Sequence, residues 1–498
     1  MLANDDKLIR FVLDGEPVEV APASPTTTLL DWLREHGRCG VKEGCAEGDC
    51  GACTVAIGEL DGERIRTSAV NACIRFLPTI DGKEVTTVHG LRNDDGSLHP
   101  AQQAMVDCHG SQCGFCTPGF VMSLFTHYLD NDGQPATRDG VVNALTGNLC
   151  RCTGYRPIID AGLAMHRYPK ASFNGKAAER VARLKALQRA SSLTLPGFAA
   201  PRTADAFAAA YDANPQSLVL AGGTDVGLWV TKQLRELPAL LYLGEVAEFG
   251  RIENSGTHLR IGAAVTLEKA FAALDTEYPA LKELHERFAS RPVRNSGTLC
   301  GNVANGSPIG DAMPALIALG ATVCLRKGKA TREIALEDLY LGYQKKDLAP
   351  GEFVEAVRVP LHKQQMMAGA DDHGVKFALY KISKRFDQDI SAVCAGIAVA
   401  LKDGKVSAAR IAFGGMAATP KRALAAEAAL QGKAWSAETI EAASQAIAED
   451  FKPLTDMRAS DAYRLTVAAN LLRRFWHEVA GEAVNVNLLD PLPVTEGS

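Results

Sequence analysis

The chain offers little to a membrane, a polyanion or a hydrolytic site. No apolar run approaches the roughly twenty residues of a membrane-spanning helix. Lys and Arg number 53 against 58 Asp and Glu. A net charge of −5 is too mild to mark nucleic acid or an anionic bilayer as a partner. The eleven histidines are scattered, and no Ser/His/Asp arrangement stands out. Neither G-x-G-x-x-G nor G-x4-G-K-[ST] occurs, which argues against a Rossmann or Walker phosphate site. The first residues carry Asp5 and Asp6 where a secretory leader has basic and then apolar residues, so a cytoplasmic protein is expected. At 498 residues the chain exceeds what one core usually covers, and about three or four domains are expected.

What is present is sulfur. Eight of thirteen cysteines fall in two groups in the first third of the chain. The first is Cys45-x4-Cys50-x2-Cys53, with Cys73 further on. Its spacing is that of plant-type two-iron ferredoxins. The second is Cys113-x2-Cys116 with Cys150-x-Cys152. Clustered thiols in a reducing compartment argue for metal rather than disulfides. Each group supplies four thiolates, so two [2Fe-2S] clusters and electron transfer are the expectation. A structural zinc site with four cysteines is the alternative, and the second group alone also permits a redox dithiol.

The surroundings of the first group read as a β-grasp ferredoxin. Ile9–Val12 and Val18–Val20 alternate as strands around the hairpin signal Asp14-Gly15. Thr28–Arg34 reads as a short helix, and a strand runs from Thr54 to Ile57. Gly40, Gly44, Gly48 and Gly51 suit a loop that wraps a cluster closely and turns N–H groups toward sulfur. Cys39 falls outside the spacing. From Leu98 the texture becomes helical, with helices expected over Pro100–Cys108, Phe120–Leu129, Asp139–Leu145 and Pro157–Arg167. Two of them begin just after cysteine pairs, so positive helix ends would face anionic sulfur. Cys108 reads as core. His89, His109 and His127 read as ordinary histidines, because each quartet is complete without them.

Residues 169–195, rich in Lys, Arg, Ala and Ser, read as a linker. Next, Ser217–Leu220 reads as a buried strand running into Ala221-Gly222-Gly223-Thr224-Asp225, a turn that offers backbone N–H groups to phosphate. A long Gly- and Asn-rich stretch follows between Arg294 and Asp311, before an apolar helix over Ala312–Leu319. Tyr380–Ile390 reads as a charged loop, then strands at Val393–Leu401 and Ala409–Phe413, then surface helices within Ala423–Ala448 and a loose tail.

The strings Gly110-Ser-Gln-Cys-Gly-Phe-Cys-Thr-Pro-Gly119 and Gly147-Asn-Leu-Cys-Arg-Cys-Thr-Gly-Tyr-Arg-Pro157 resemble the motifs of the molybdenum hydroxylase family, which includes xanthine dehydrogenase and aldehyde oxidase. The resemblance runs from about residue 5 to 168 and, for the flavin domain, from about Leu218 to Pro360. It implies a multidomain α+β chain. A β-grasp [2Fe-2S] ferredoxin domain would occupy 1–90 and a four-helix [2Fe-2S] bundle 91–168. After the 169–195 linker, a two-part FAD domain of the vanillyl-alcohol-oxidase/PCMH type would occupy 196–362. A C-terminal CO-dehydrogenase-flavoprotein-like domain would occupy 374–485.

For FAD the resemblance implies that Val219, Leu220, Ala221, Gly222, Gly223, Thr224, Asp225, Val226 and Thr298 cradle the phosphates. Asn302, Ser307 and Asp311 would bind further along, with Phe288 near the rings, Lys381 a contact, and Tyr343 and Asp389 lining the cofactor face. Gly223 and Asp225 stand where relatives often have Asn and Glu, and Thr298 and Cys300 where Ser and Gly are common. The implied circuit runs from a molybdopterin centre on a large partner subunit to the helical-domain cluster, the ferredoxin-like cluster, FAD and NAD+, in an (αβ)2 assembly. No catalytic residue is expected on this chain. The order of iron–sulfur and FAD domains favours a purine-oxidising member of the xanthine dehydrogenase kind. An aldehyde or other N-heterocycle hydroxylase, or a stand-alone iron–sulfur flavoprotein reductase, is the alternative.

Overall fold

The computed structural model describes residues 7–21, 24–361 and 374–482. The tail, and the polar segment after Pro360 from 362 to 373, lie outside the described residues.

Five strands, β1 (Ile9–Leu13), β2 (Glu16–Val20), β3 (Thr54–Asp61), β4 (Arg64–Asn71) and β5 (Glu84–Thr86), form a sheet in the order β2-β1-β5-β3-β4. The β1–β2 turn places Asp14 and Gly15 at positive φ, as a two-residue hairpin requires. β1 and β5 pair in parallel, and α1 (Leu29–Glu35) packs Leu29, Leu30 and Leu33 into the core. Thr28 caps α1 by accepting from Asp31 N at 3.1 Å, a contact worth about 1 kcal/mol. This is the expected β-grasp.

Four helices follow: α2 (Pro100–Asp107), α3 (Thr117–Asp130), α4 (Arg138–Ala144) and α5 (Arg156–Ala164). Their starts are legible locally, with Pro at the first turn of α2, α3 and α5 and a Thr137 cap on α4. Cys116 stands at the N-cap of α3, and α5 begins four residues after Cys152.

Residues 169–195 are ordered rather than loose. A turn of helix, α6 (Ser172–Gly175), leads into α7 (Ala177–Leu187). Basic side chains that read as a solvated linker bind the ferredoxin domain instead. Arg180 forks onto Glu84 at 3.0–3.1 Å, Lys185 meets Glu63 at 2.5 Å, and buried Arg189 pairs with Asp81 at 2.6 Å.

The next unit has two sheets. β6 (Leu193–Leu195), β7 (Phe198–Ala200), β8 (Leu218–Leu220) and β9 (Leu240–Tyr242) are ordered β6-β7-β9-β8, with α8 (Ala204–Ala213) and α9 (Val226–Thr231) between. β10 (Ile252–Asn254), β11 (His258–Gly262), β12 (Thr322–Lys327), β13 (Ala330–Ala335) and β16 (Phe353–Pro360) are ordered β10-β11-β16-β12-β13, and a hairpin, β14 (Tyr340–Gly342) with β15 (Lys345–Lys346), stands apart. α10 (Leu267–Glu277), α11 (Lys282–Arg287), α12 (Arg291–Ser296), α13 (Leu299–Asn305) and α14 (Ala312–Ala318) lie between β11 and β12. The small sheet shares one apolar core with the ferredoxin domain, where Ile74, Leu77, Phe198 and Tyr242 meet. That shared core fixes the two domains against each other.

The last unit is a meander, β17 (Val375–Ile382), β18 (Val393–Lys402), β19 (Lys405–Gly414) and β20 (Lys421–Arg422), covered by α15 (Leu424–Leu430), α16 (Ala437–Asp450) and α17 (Asp461–Val479). Tyr380 and Lys381 belong to β17 and are buried, not part of a loop; the connecting loop begins after Ile382. The strand continues because eight residues of β17 pair with β18, which the local charge pattern does not reveal. Among the described residues no helix is long and apolar enough to cross a membrane.

Candidate functional site: two thiol quartets and a glycine-lined cavity

In the ferredoxin domain the loop between α1 and β3 turns back on itself. Cys45 Sγ accepts from Glu47 N at 3.5 Å and Cys50 N at 3.3 Å, and Asn71 Nδ2 approaches Cys53 Sγ at 3.9 Å. Gly44 passes so close to Cys50 that a Cβ there would stand 2.7 Å from its sulfur. The thiols touch in a chain, Cys50 to Cys45 to Cys73 to Cys53. Sharing of protons along it drives Cys45 and Cys53 down and Cys50 and Cys73 up from the usual thiol range. Cys53 and Cys73 are buried; Cys45 and Cys50 are half-buried.

The second quartet has the same form. Cys113 and Cys152 sulfurs lie 3.7 Å apart, Cys152 and Cys150 3.8 Å, and Cys150 contacts Cys116. Burial pushes Cys116 up to about 12, with its Cys150 contact second. Burial also opposes ionisation of Cys150, yet the Thr153 hydroxyl and amide bring it down to about 7. The Cys113 and Cys152 pair is exposed, and Cys150 is buried.

Among the described residues no three His, Cys, Asp or Glu side chains are gathered for a single metal ion. The sulfurs run instead as chains whose two ends are pairs: Cys45 with Cys50 and Cys53 with Cys73, Cys113 with Cys152 and Cys116 with Cys150. Two pairs of thiolates with N–H donors on sulfur are the donor set of a binuclear iron core. The residues therefore fit [2Fe-2S] clusters.

The quartets are joined by backbone. Leu149 N, beside Cys150, donates to Cys50 O at 3.0 Å. Gly51 has φ 71°, and a Cβ there would stand 2.2 Å from Gly147 O, so only glycine lets the two loops meet.

On the other side of the ferredoxin quartet lies a cavity of ≈ 320 Å³ between the two sheets of the next unit. The turn after β8 forms one wall and the start of α13 another. A Cβ on Gly222 would stand 1.9 Å from Ser296 O, so the two glycine-rich loops close on each other through bare backbone. Gly223 and Gly227 pack on the carbonyl of Ile74, the residue after Cys73, where Cβ atoms would stand 3.5 and 2.7 Å away. Burial raises Asp225 above the usual carboxylate range.

Four families match consecutive parts of the chain: the 2Fe-2S iron-sulfur cluster binding domain over 11–77, the [2Fe-2S] binding domain over 87–163, the FAD binding domain in molybdopterin dehydrogenase over 192–362, and the CO dehydrogenase flavoprotein C-terminal domain over 378–479. Xanthine dehydrogenase of Emericella nidulans is 31% identical over 96% of this chain, and that of Drosophila subobscura 33% identical over 82%. The chain belongs to the molybdenum hydroxylase family. It spans 39% and 34% of those two relatives' lengths. Among solved structures of this family, a carbon monoxide dehydrogenase chain from Hydrogenophaga pseudoflava aligns with TM-score 0.50 and 27% identity, covering 56% of this chain and 94% of its own. A quinoline 2-oxidoreductase chain from Pseudomonas putida 86 aligns with TM-score 0.50 and 25% identity, covering 57% and 95%.

As a molybdenum hydroxylase chain it has an FAD domain, and the cavity in that domain is lined by Val219, Ala221, Gly222, Gly223, Thr224, Asp225, Val226, Thr298 and Asn302. Leu220 faces the core instead, since strand alternation turns it from its neighbours. A buried Asn302 Oδ1 without a partner and the bare glycine turns fit a ligand with polar groups. Lys381 and Asp311 are brought together outside that lining. Lys381 Nζ donates to Asp311 Oδ2 at 2.5 Å, Ser391 Oγ at 2.9 Å and Asp389 O at 2.8 Å. The Asp389 carboxylate itself receives Arg385 N at 2.9 Å. Ser307 Oγ accepts from Ile309 N at 3.4 Å, Phe288 is buried against Phe271, and Tyr343 is exposed. None of these six, Lys381, Asp311, Asp389, Ser307, Phe288 and Tyr343, lines the cavity. Lys346, Glu352 and Phe353 also line it; no local pattern marks them, because tertiary pairing brings β15 and the entry to β16 there. Burial holds the Lys346 ammonium below its ordinary range.

Proposed function

We propose that this chain is the electron-transfer part of a xanthine dehydrogenase, passing electrons that leave purine oxidation through two [2Fe-2S] clusters and FAD to NAD+. The observation that carries the order is the chain of contacts: Cys150 beside Leu149, Leu149 bonded to Cys50, and Cys73 beside Ile74 against the glycine turn. When bound, the clusters carry single electrons and the flavin gathers them into a hydride pair. The residues do the rest. Cys45, Cys50, Cys53 and Cys73 hold one cluster, and Cys113, Cys116, Cys150 and Cys152 the other. Gly222, Gly223 and Thr298 offer backbone to the FAD phosphates, with Val219, Ala221, Thr224, Asp225, Val226 and Asn302 along the same wall. Lys381 and Asp311 form a fixed polar post; we place Ser307 further along the cofactor with Asn302 and Asp311, Phe288 near the flavin rings, and Tyr343 and Asp389 along the cofactor face.

Electrons enter, in this reading, at the exposed Cys113 and Cys152 face. Phe115, Leu149, Tyr155 and Val142 are exposed large apolar residues in that region. A large subunit carrying molybdopterin would cover it, in an (αβ)2 assembly within the cytoplasm. The xanthine assignment is supported by relatives bearing that name at 31% and 33% identity. Chains of a carbon monoxide and a quinoline enzyme align with 56% and 57% of this chain, which supports an equivalent subunit of another hydroxylase as the second reading. Native purification tests both. A co-purifying molybdenum subunit, about four irons and one FAD per chain, and xanthine-dependent NAD+ reduction are expected. A molybdenum subunit active on a different heterocycle or an aldehyde would select the second reading. Iron and flavin with no molybdenum partner would leave a stand-alone reductase.

A further inference from the structure

A second cavity, of ≈ 240 Å³, lies at the seam between the ferredoxin and FAD domains and shares no lining residue with the glycine-lined cavity. The ferredoxin side contributes Arg66 and Ser68 of β4 and Arg75; the FAD side contributes Thr266 and Lys269 at the start of α10 and Asn295 of α12. Glu59 is the one carboxylate in the lining, and it is already engaged by Lys83. Three cations therefore face the space against one neutralised acid.

Arg75 is the decisive residue. It is 9% exposed and its Nε is buried without a hydrogen-bond partner; the lining acid whose charge it feels, Glu59, is hydrogen-bonded to Lys83 and also feels Arg66. A buried guanidinium with no hydrogen-bonded anion is unfavourable, and an arriving anion relieves that cost. The first turn of α10 adds the positive end of an eleven-residue helix, although its Leu267 N is taken by Gly297 O at 2.8 Å and its Lys269 N by the Thr266 cap at 3.4 Å. Glu268 in that turn is drawn away by Arg294 at 2.7 Å and His285 at 3.4 Å, so it does not neutralise the seam.

We propose that this seam binds a phosphate group, either free inorganic phosphate or the phosphate of a small ester. Guanidinium forks match phosphate oxygens, and the hydroxyls of Ser68 and Thr266 supply neutral donors for a tetrahedral ion, with the second N–H of Asn295 Nδ2, whose first goes to Ala69 O at 2.9 Å. The volume falls below the roughly 300–1,000 Å³ of drug-sized sites, which suits a small ion. The bound ion bridges β4 and α10, so it ties together the two domains across which electrons pass.

Equilibrium dialysis of the full, cofactor-loaded protein tests this with inorganic phosphate and, separately, a nucleoside 5′-monophosphate, at constant ionic strength in chloride. Saturable binding of about one phosphate per chain is expected, weakened tenfold or more by Lys269→Glu and by Arg75→Met, and unchanged by Lys433→Glu on a distant exposed surface. Tighter binding of the monophosphate identifies an ester; equal or tighter binding of inorganic phosphate identifies the free ion. Failure of both to saturate, or equal binding by Lys269→Glu, overturns the proposal. Arg75 lies two residues from Cys73, so if Arg75→Met does not fold, Lys269→Glu at the exposed start of α10 decides alone.

Discussion

At the scale of residues, Lys381 and Asp311 show how this protein handles buried charge. Their side chains are 3% and 7% exposed, and Ser391 bonds both, donating to Asp311 at 2.6 Å. A pair so placed adds little net stability over an apolar isostere, yet removing one member strands the other. Lys381→Met should therefore lower the unfolding free energy by about 3–5 kcal/mol, read as a fall in the urea midpoint of the FAD-domain transition. Asp225 carries the opposite expectation. It lines the cavity, has no ion-pair partner among the described residues and is raised by burial. Asp225→Ala should leave the fold intact and weaken FAD retention about tenfold, the scale of one charge-assisted hydrogen bond. Flavin occupancy after gel filtration, with iron content as the control, checks it; unchanged occupancy would remove Asp225 from the site.

At the scale of elements, α10, α11 and α12 meet around His285. Its ring takes Asp275 at 2.7 Å and Glu268 at 3.4 Å, and stacks on Phe271. Burial disfavours the imidazolium, but the hydrogen bonds of Asp275 and Glu268 outweigh it and raise His285 to about 9. Glu268 is also bound by Arg294, and although burial opposes its charge it falls to about 2. A histidine raised from 6.5 to about 9 contributes stability that is complete below pH 6.5 and is lost as pH rises through about 9. Thermal midpoints should thus decline across that alkaline window, and His285→Gln should flatten the decline. A wild-type midpoint constant from pH 6.5 to 9 would contradict the charged-histidine assignment.

The elements also show what a sequence discloses. The β-grasp hairpin and the four helices of the second domain were legible, because Asp14-Gly15, Thr28, Thr137 and the prolines of α2, α3 and α5 act within a few residues of where they stand. The cysteine quartets were legible for the same reason, being fixed by spacing. Helix α7 was not: Arg180, Lys185 and Arg189 owe their order to Glu84, Glu63 and Asp81, about a hundred residues earlier. Lys381 reads as a loop residue, because β17 is defined by pairing with β18 and not by its own alternation. Lys346 enters the cavity on a hairpin whose position no local pattern encodes. Helix α17 carries a local signal of its own, because Ala468, Leu471, Leu472 and Phe475 recur at helical spacing.

At the scale of the whole molecule, the domains are arranged as a series. The helical domain meets the ferredoxin loop through Gly51, Gly147 and Leu149, and the ferredoxin domain meets the flavin domain through Ile74, Gly223 and Gly227. The helical domain also touches the FAD domain, where Arg291 pairs with Asp130 at 2.5 Å, so the series is braced as a triangle. Rigid spacing of this kind is what one-electron transfer asks of a protein, while cluster burial and N–H donors to sulfur set the potentials. In the proposed order, the exposed Cys113 and Cys152 pair stands at the entry end and the buried Cys53 and Cys73 pair at the flavin end.

The most direct test is low-temperature electron paramagnetic resonance of the dithionite-reduced protein, compared with its Cys150→Ser variant. Two distinct signals totalling about two spins per chain are predicted for wild type, as two binuclear iron centres require. Cys150→Ser should erase or reshape one signal, leave the other intact, and stop electrons arriving from the partner while NADH-driven dye reduction at the flavin largely survives. A single signal in wild type, none at all, or loss of both on changing Cys150 would contradict the account.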